Sequence, residues 1–438
     1  MLDEKDAYSE TPLGCACLLG YTTSTELLLA SGSYLSPSHI SRAHVSCRDA
    51  LLTALKQRRS KLKLLALDTL GEMDAGRLGL HEDIILDSRA IEVRELLQGK
   101  GIGIPLSMFV QDDAGSVYHH CYHSGDHPST DILEKLWTLG FRDVNSFDMD
   151  GNVPLEFCRS DLEQARWLIE HGGDYWTPLT KRQASTNQST KRSNGPATPA
   201  HEIMCSIGRT EKQTNKDLET RRWLLEKLLQ VRVGDACSCP CTIGGCVPLK
   251  TYFDSRFRHP CSRNGISLPR DSAWKWMTFI QAYQPYLSER DLITTVRRAT
   301  FDALELIHTC CSHGKGPLYD PTEIDEIDEI HSEQKSLLSL FTDLLVEFER
   351  FAYDDQSGRP LITSDPEEFW ERRWLPRIME TRDRLDGNEL TEGEISAGEA
   401  IGVVWGPQPP PKTERVVKPK RAITPEYIMG EIEKIMNE

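Results

Sequence analysis

Short apolar runs separated by turn-forming residues recur along the first half of the chain. Residues 9–33 open with Thr-Pro-Leu, pass through small residues, and end an apolar run at Gly32. Residues 148–179 follow the same order, from Val-Pro-Leu to the pair Gly172 and Gly173. Proline is tolerated at the first position of a helix, and glycine commonly ends one. Each stretch is therefore predicted to form a short helix, a turn, a second helix and a loop.

Weaker copies of this pattern lie between and after the two clear ones. Val117 and Val153 stand in similar openings 36 residues apart, and further openings begin at Thr198 and Gly244. Residues 49–101 read as degenerate copies. Because one such unit cannot bury its apolar face alone, neighbouring units must stack. The pattern predicts about six or seven partly degenerate units.

The order of helix, turn, helix, glycine and loop resembles the ankyrin repeat over residues 6–253, and more narrowly the large fungal group of ankyrin-repeat proteins. Only residues 198–201, Thr-Pro-Ala-His, keep the histidine of the family signature. The cysteine-rich strings at 237–246 and 308–311 are similar to strings in that group. The resemblance implies an all-α solenoid whose hairpin loops and concave helices bind proteins and perform no chemistry. A polar insertion at 181–197 is predicted to be a mobile loop.

After residue 253 the spacing becomes that of longer amphipathic helices. Ser288 and Asp291 form a capping-box signature. Apolar residues at spacings of three and four then predict helices over 288–308 and 322–351. These helices are expected to form a C-terminal helical bundle, residues 254–385, that caps the open end of the solenoid.

The last segment, residues 386–438, is rich in glycine, acidic residues and proline, and is predicted to be a flexible tail ending in a short helix. Its basic residues between Lys412 and Arg421 are compatible with nuclear import, although a solvated linker explains them more simply. The acidic N-terminus lacks the features of a signal peptide, and no apolar run approaches membrane-spanning length. A cytoplasmic protein is expected, with the nucleus as the alternative.

The chain carries a formal net charge of −16. A negative field repels phosphate groups, so neither nucleic acid nor a membrane surface is expected as a direct partner. No phosphate-binding loop, serine-nucleophile elbow or His-Glu-Xaa-Xaa-His motif occurs. The clustered His119, His120 and His123 suggest a metal site less strongly than a structural role. Trp370 and Trp374 are interpreted as core residues.

Cysteine is the residue type that points most directly to a ligand. Reducing compartments disfavour disulfides among the 13 cysteines, and four of them lie within residues 237–246. In an extended strand, alternate cysteines share one face, where zinc binds thiolates tetrahedrally. The alternative is a tight loop whose cysteines act as small buried hydrophobes. The candidate ligands of one structural zinc are Cys237, Cys239, Cys241, Cys246, Cys310 and Cys311, with His308 beside the last two.

These observations predict a non-enzymatic ankyrin-repeat scaffold or adaptor that binds another protein through its concave surface and hairpin tips. No catalytic residue and no cofactor other than the zinc are expected. Two alternatives come from other functional classes. One is a nuclear transcription coregulator, or an accessory protein of a fungal secondary-metabolite pathway as the resemblance implies. The other is an enzyme of unknown type in the C-terminal half.

Overall fold

The computed structural model describes most of the first half of the chain and several helices of the second. The described residues are 3–6, 10–108, 115–122, 130–148, 151–177, 198–209, 215–234, 239–242, 244–257, 280–281, 283–304, 306, 309, 324–351, 366–386, 396 and 400. The predicted mobile insertion at 181–197 lies outside them, as does nearly all of the predicted tail.

Every regular element within the described residues is a helix, which confirms the predicted all-α class. None of these helices is long and apolar enough to cross a membrane. The α-helices are α1 Pro12–Leu18, α2 Thr22–Ala30, α3 Pro37–Arg42, α4 Val45–Thr69, α5 Glu72–Arg77, α6 Ala90–Gly99, α7 Thr130–Leu139, α8 Leu162–Glu170, α9 Pro199–Arg209, α10 Asn215–Leu228, α11 Pro248–Phe257, α12 Glu289–Ala303, α13 Ile324–Glu333, α14 Lys335–Phe351, α15 Pro366–Phe369 and α16 Leu375–Asp386. Shorter 3₁₀ helices cover Leu106–Met108, Val117–Tyr122, Pro154–Ser160 and Gln284–Tyr286, and a π-helical segment covers Trp370–Trp374.

The chain divides into two compact units. The first comprises residues 1–207 and 220–236, and the second comprises residues 208–219 and 237–438. The predicted boundary between repeats and C-terminal domain after residue 253 stays a prediction.

Helix α1 shows how the first unit is built from local signals. The Thr11 hydroxyl accepts a hydrogen bond from the Gly14 N–H at 3.1 Å, and Pro12 occupies the first turn as predicted. After α1 the chain reverses at Gly20, where φ is +74°. A side chain there would place its Cβ 2.9 Å from Nδ1 of His44, so glycine is required both by conformation and by space. The reversal lets α2 return alongside α1.

A recurring backbone turn opens five of the described helices. In this turn the carbonyl of one residue accepts the N–H of the residue three positions later, at 3.0–3.1 Å. It closes between Ser36 and His39, Ser116 and His119, Val153 and Glu156, Thr198 and His201, and Val247 and Lys250.

Three of these turns end in a buried histidine that holds the turn closed. The imidazole Nδ1 accepts the backbone N–H of the first residue of the turn. The N–H groups of Ser36, Ser116 and Thr198 donate to His39, His119 and His201 at 3.3, 3.0 and 3.1 Å, respectively. Only the last is recognisable from the sequence, because serine replaces threonine in the other two and the intervening residues differ.

Helix α8 ends at a pair of glycines, as predicted. Gly172 has φ of +92°, and the Gly173 N–H donates to the carbonyl of Leu168 at 2.7 Å. This is the left-handed termination that glycine favours. The two glycines differ in surroundings, because a Cβ on Gly172 would meet nothing within 4 Å, whereas one on Gly173 would lie 2.8 Å from the Leu168 carbonyl oxygen.

We expect valine at either position to lower the stability of the chain, for a different reason at each. Gly172→Val should lower the free energy of unfolding by about 1–2 kcal/mol, because an L-residue is strained in the left-handed region. Gly173→Val should cost about 1–3 kcal/mol, because the side chain forces the backbone at Leu168 to move. Chemical denaturation measures both, with Gly99→Ala as the control. A Cβ on Gly99 would meet nothing, so that variant should be neutral or slightly stabilised. Unchanged stability in both valine variants would contradict this helix end.

The described helices of the second unit pack through aromatic residues. The predicted capping box of α12 is present, since the Ser288 N–H donates to Asp291 at 2.8 Å and the Asp291 N–H donates to the Ser288 hydroxyl at 3.3 Å. The rings of Phe301 and Phe341 meet edge to face at 5.2 Å, so α12 contacts the later helix. That later helix is two elements, α13 and α14, which meet at Gln334.

Trp370 and Trp374 are core residues, as predicted, with 2% and 1% of their surfaces exposed. The indole N–H of Trp374 donates to the Thr300 hydroxyl at 2.8 Å, which joins the π-helical segment to α12. A buried indole needs such a partner, and the surrounding aromatic rings fill the rest of its surface.

Candidate functional site

Two successive loops of the first unit are tied together by one side chain. We call residues 142–148 and 170–177 the loop edge. The Asn145 amide donates to the carbonyl of Gly172 at 2.8 Å and accepts the N–H of Asp174 at 2.7 Å. Because one amide makes both bonds, the spacing between the two loops is fixed.

Each loop is also closed by an aspartate. The Asp148 N–H donates to the carbonyl of Asn152 at 2.9 Å, and Asp148 accepts the Asn152 N–H at 2.8 Å. Asp174 accepts the N–H groups of Trp176 and Thr177, both at 3.0 Å. Such side-chain-to-backbone bonds stabilise tight turns. The backbone of the loop edge is therefore ordered by its own hydrogen bonds.

The loop edge carries two large apolar side chains that the fold does not bury. Phe147 is 52% exposed and Trp176 is 51% exposed. Asn145 and its hydrogen-bond partners Gly172 and Asp174 form what we call the Asn145 bridge. Phe147 lies two residues after Asn145, and Trp176 lies two residues after Asp174. Sequence analysis did not select these residues, although their position beside the predicted hairpins was a usable signal. Exposed aromatic residues on an ordered backbone are typical of protein-binding surfaces.

A packed aromatic layer supports the loop edge from the helices behind it. His171 stacks on Trp167 with ring centroids 3.8 Å apart, and Trp137 meets His171 edge to face at 4.7 Å. The indole N–H of Trp167 donates to Glu134 at 2.9 Å. The Arg142 guanidinium lies 4.0 Å from the centre of the Trp137 ring. These contacts join α7 to α8 and hold the starting points of both loops.

His119 has a structural role, as the sequence favoured. Its Nδ1 accepts the Ser116 N–H at 3.0 Å, so the neutral ring carries its hydrogen on Nε2. That nitrogen lies 3.0 Å from the Asn152 carbonyl oxygen and donates to it. Both ring nitrogens are therefore occupied by the protein. The side chains of His120 and His123 lie outside the described residues.

A buried polar cluster lies deeper in the first unit. Asp87 accepts the Val117 N–H at 3.0 Å, and Asp143 accepts the Ser88 N–H at 2.9 Å. Burial raises the pKa of Asp87 to about 8, the nearby Asp143 carboxylate adds to the rise, and Arg59 opposes it. The second oxygen of Asp87 and Nη1 of Arg59 have no hydrogen-bond partner among the described residues. The cluster links segments of the first unit that are distant in sequence.

The described part of the cysteine-rich loop is buried in the second unit. Cys239, Cys241 and Cys246 are each exposed by 1% or less. Gly244 and Gly245 have φ of +74° and +93°, and two successive left-handed residues turn the chain sharply before the last cysteine.

Arg297 binds the backbone of this loop. Its Nε and Nη2 donate to the carbonyl of Pro240 at 2.9 and 2.7 Å. Burial lowers the pKa of Arg297, and the thiols of Cys241 and Cys239 act in the opposite direction. A nearby cation stabilises thiolates, which are the form that binds zinc.

The zinc hypothesis stays a prediction. Within the described residues, no group of three or more His, Cys, Asp or Glu side chains is arranged to hold a metal ion. Cys237, Cys310 and Cys311, three of the six candidate ligands, lie outside those residues.

We expect protein purified without a His-tag under reducing conditions to contain about one zinc per chain if the loop is a structural site. Removing the metal with a chelator should lower the thermal unfolding midpoint, because a structural metal binds only the folded state. Elemental analysis and thermal denaturation give the two readings. Substoichiometric zinc together with chelator-insensitive unfolding would instead support the buried-hydrophobe alternative.

No protein-family model matches the chain, and no significant similarity to a curated protein was found.

Proposed function

We propose that the chain is a non-enzymatic ankyrin-repeat scaffold of the fungal type that binds another protein through its loop edge and concave helices. In this proposal the first helix pairs form a solenoid, and the helices after residue 253 form a bundle that caps it. The observation that carries the proposal is the repeated turn with its buried histidine, at His39, His119 and His201.

Two further observations support a stacked repeat array. His119 reaches from its own turn to the carbonyl of Asn152, 33 residues later, at 3.0 Å. Asn145 reaches the loop at Gly172 and Asp174. Contacts at about one repeat length are what stacking of similar units produces, because each unit touches mainly its neighbours.

Protein binding suits the surface better than catalysis does. Ordered loops with half-exposed aromatic side chains offer contact area at low conformational cost. The buried Asp87 accepts the Val117 N–H and so joins two segments of the fold that are 30 residues apart. The raised pKa of Asp87 therefore has a structural explanation.

Site-specific photo-crosslinking tests the proposal. A photoreactive amino acid is placed at Thr177, on the loop edge, and as a control at Leu64, which is 61% exposed on α4. The same partner protein should be linked reproducibly at position 177 and not at position 64. Absence of any protein adduct at 177, or equal adducts at both positions, would contradict a scaffold that binds through this edge.

A further inference from the structure

The loop edge has a charge that selects among protein partners. Its two segments contain the carboxylates of Asp143, Asp148, Glu170 and Asp174 and a single guanidinium, that of Arg142. Arg142 is held over the Trp137 ring, at 4.0 Å from its centre. Glu170 pairs with Arg166 of its own helix at 2.8 Å. Asp143 is held by Ser88 in the buried polar cluster, and the edge carboxylate that lies next to an exposed aromatic residue in its own turn is that of Asp174.

Asp174 shows why this charge is available to a ligand. Its carboxylate accepts two hydrogen bonds, both from uncharged backbone N–H groups of its own turn. In the described part of the chain, no basic side chain lies within ion-pair distance of it. Backbone donors orient the carboxylate without neutralising it, so its charge remains beside the exposed ring of Trp176.

An indole ring next to a carboxylate prefers a cation. The face of tryptophan attracts Lys and Arg side chains more strongly than other aromatic rings do. A nearby carboxylate also attracts the cation by Coulomb interaction. Phe147 offers exposed apolar area.

We propose that the loop edge binds a basic segment of another protein, with a Lys or Arg side chain on the Trp176 ring beside Asp174 and an apolar side chain against Phe147. This inference rests on the proposed scaffold function and specifies its partner. The Asn145 bridge sets the spacing of the two aromatic positions before binding. Each aromatic residue lies two residues, or about 7 Å of extended backbone, from that bridge. Little ordering is therefore needed when the segment binds.

The test uses the full chain and two short synthetic peptides. One peptide is built from Lys, Arg and Phe, and its counterpart carries Glu in place of every Lys and Arg. Fluorescence anisotropy should show binding of the basic peptide that weakens with added salt, and no binding of the acidic one. Trp176→Ala should weaken binding of the basic peptide about tenfold or more, a loss typical of a central aromatic contact.

Two matched variants separate the site from the general negative charge of the protein. Asp174→Asn keeps the oxygen that accepts the Trp176 and Thr177 N–H groups and removes only the charge, so binding should weaken about three- to tenfold with a smaller salt dependence. Glu72→Gln removes one charge from a carboxylate whose side chain is 90% exposed on α5. Tyr21→Ala removes a 59% exposed aromatic ring from the turn before α2. Both controls should bind as the unmodified chain does.

The inference is overturned if the basic peptide does not bind, if the acidic peptide binds equally, or if Trp176→Ala and Asp174→Asn behave like their controls. Crosslinking at position 177 distinguishes this failure from that of the scaffold itself. Partner adducts that persist in both variants would leave the scaffold in place and remove the basic ligand. A complete absence of adducts in the unmodified sequence would remove the scaffold.

Discussion

Leu344→Ala should lower the free energy of unfolding by about 2–5 kcal/mol, the range for truncating a buried leucine. Leu344 lies on α14 and is 1% exposed. Phe341 and Phe348, three and four residues away on the same face, are each 1% exposed. Large side chains held in place on both sides leave little freedom to close the cavity, so the cost should fall in the upper part of that range.

Val346→Ala is the matched control on the same helix. Val346 is 49% exposed, and alanine is the better helix former, so this change should alter stability by less than about 0.5 kcal/mol. Denaturant unfolding followed by circular dichroism measures both variants. If Leu344→Ala instead stayed within a few tenths of a kcal/mol, the apolar stripe of α14 would be a free binding face.

His119→Ala should cost about 2–4 kcal/mol. The substitution leaves the buried Ser116 N–H without its partner, which costs about 1–3 kcal/mol, and removes the hydrogen bond from His119 to the Asn152 carbonyl, which contributes about 1 kcal/mol. The Asn152 carbonyl still accepts the Asp148 N–H. One of the two His119 bonds is local to the turn and the other joins segments 33 residues apart, so the loss also tests the proposed stacking of neighbouring repeats.

Two conservative variants divide this effect. The asparagine oxygen in His119→Asn can replace Nδ1 and accept the Ser116 N–H, whereas the glutamine amide in His119→Gln can replace the Nε2 donor to Asn152. Each should recover part of the stability lost in the alanine variant, as measured by thermal denaturation. His81→Ala, at a side chain that is 52% exposed, is the control and should be nearly neutral. Equal losses in all three His119 variants would contradict the bonding of both ring nitrogens.

The helices were the most predictable feature because their signals are local. Pro12, Ser288 and Gly172 each act within one turn of the chain, so the residue type alone indicates where a helix begins or ends. The buried histidines were only partly predictable. At His39 and His119 other residue types form the same backbone turn. The family signature therefore does not identify it.

The candidate site depends on contacts between segments that are distant in sequence. Asn145 binds Gly172 and Asp174, more than 25 residues away, and the residue types alone do not indicate this pairing. The exposure of Phe147 and Trp176 likewise depends on how these segments pack. Predicting these features requires the register of the packed helices as well as their number.

The buried Asp87 makes folding of the first unit a proton-uptake reaction. Its pKa of about 8 in the folded chain compares with about 3.9 for an unfolded aspartate. Between these values the folded chain holds a proton that the unfolded chain has released. The stabilisation is therefore complete below about pH 4 and is lost as the pH rises through about 8. Lowering the pH would therefore stabilise the first unit. Asp87→Asn, which has no proton to exchange, should abolish this pH dependence of the unfolding midpoint.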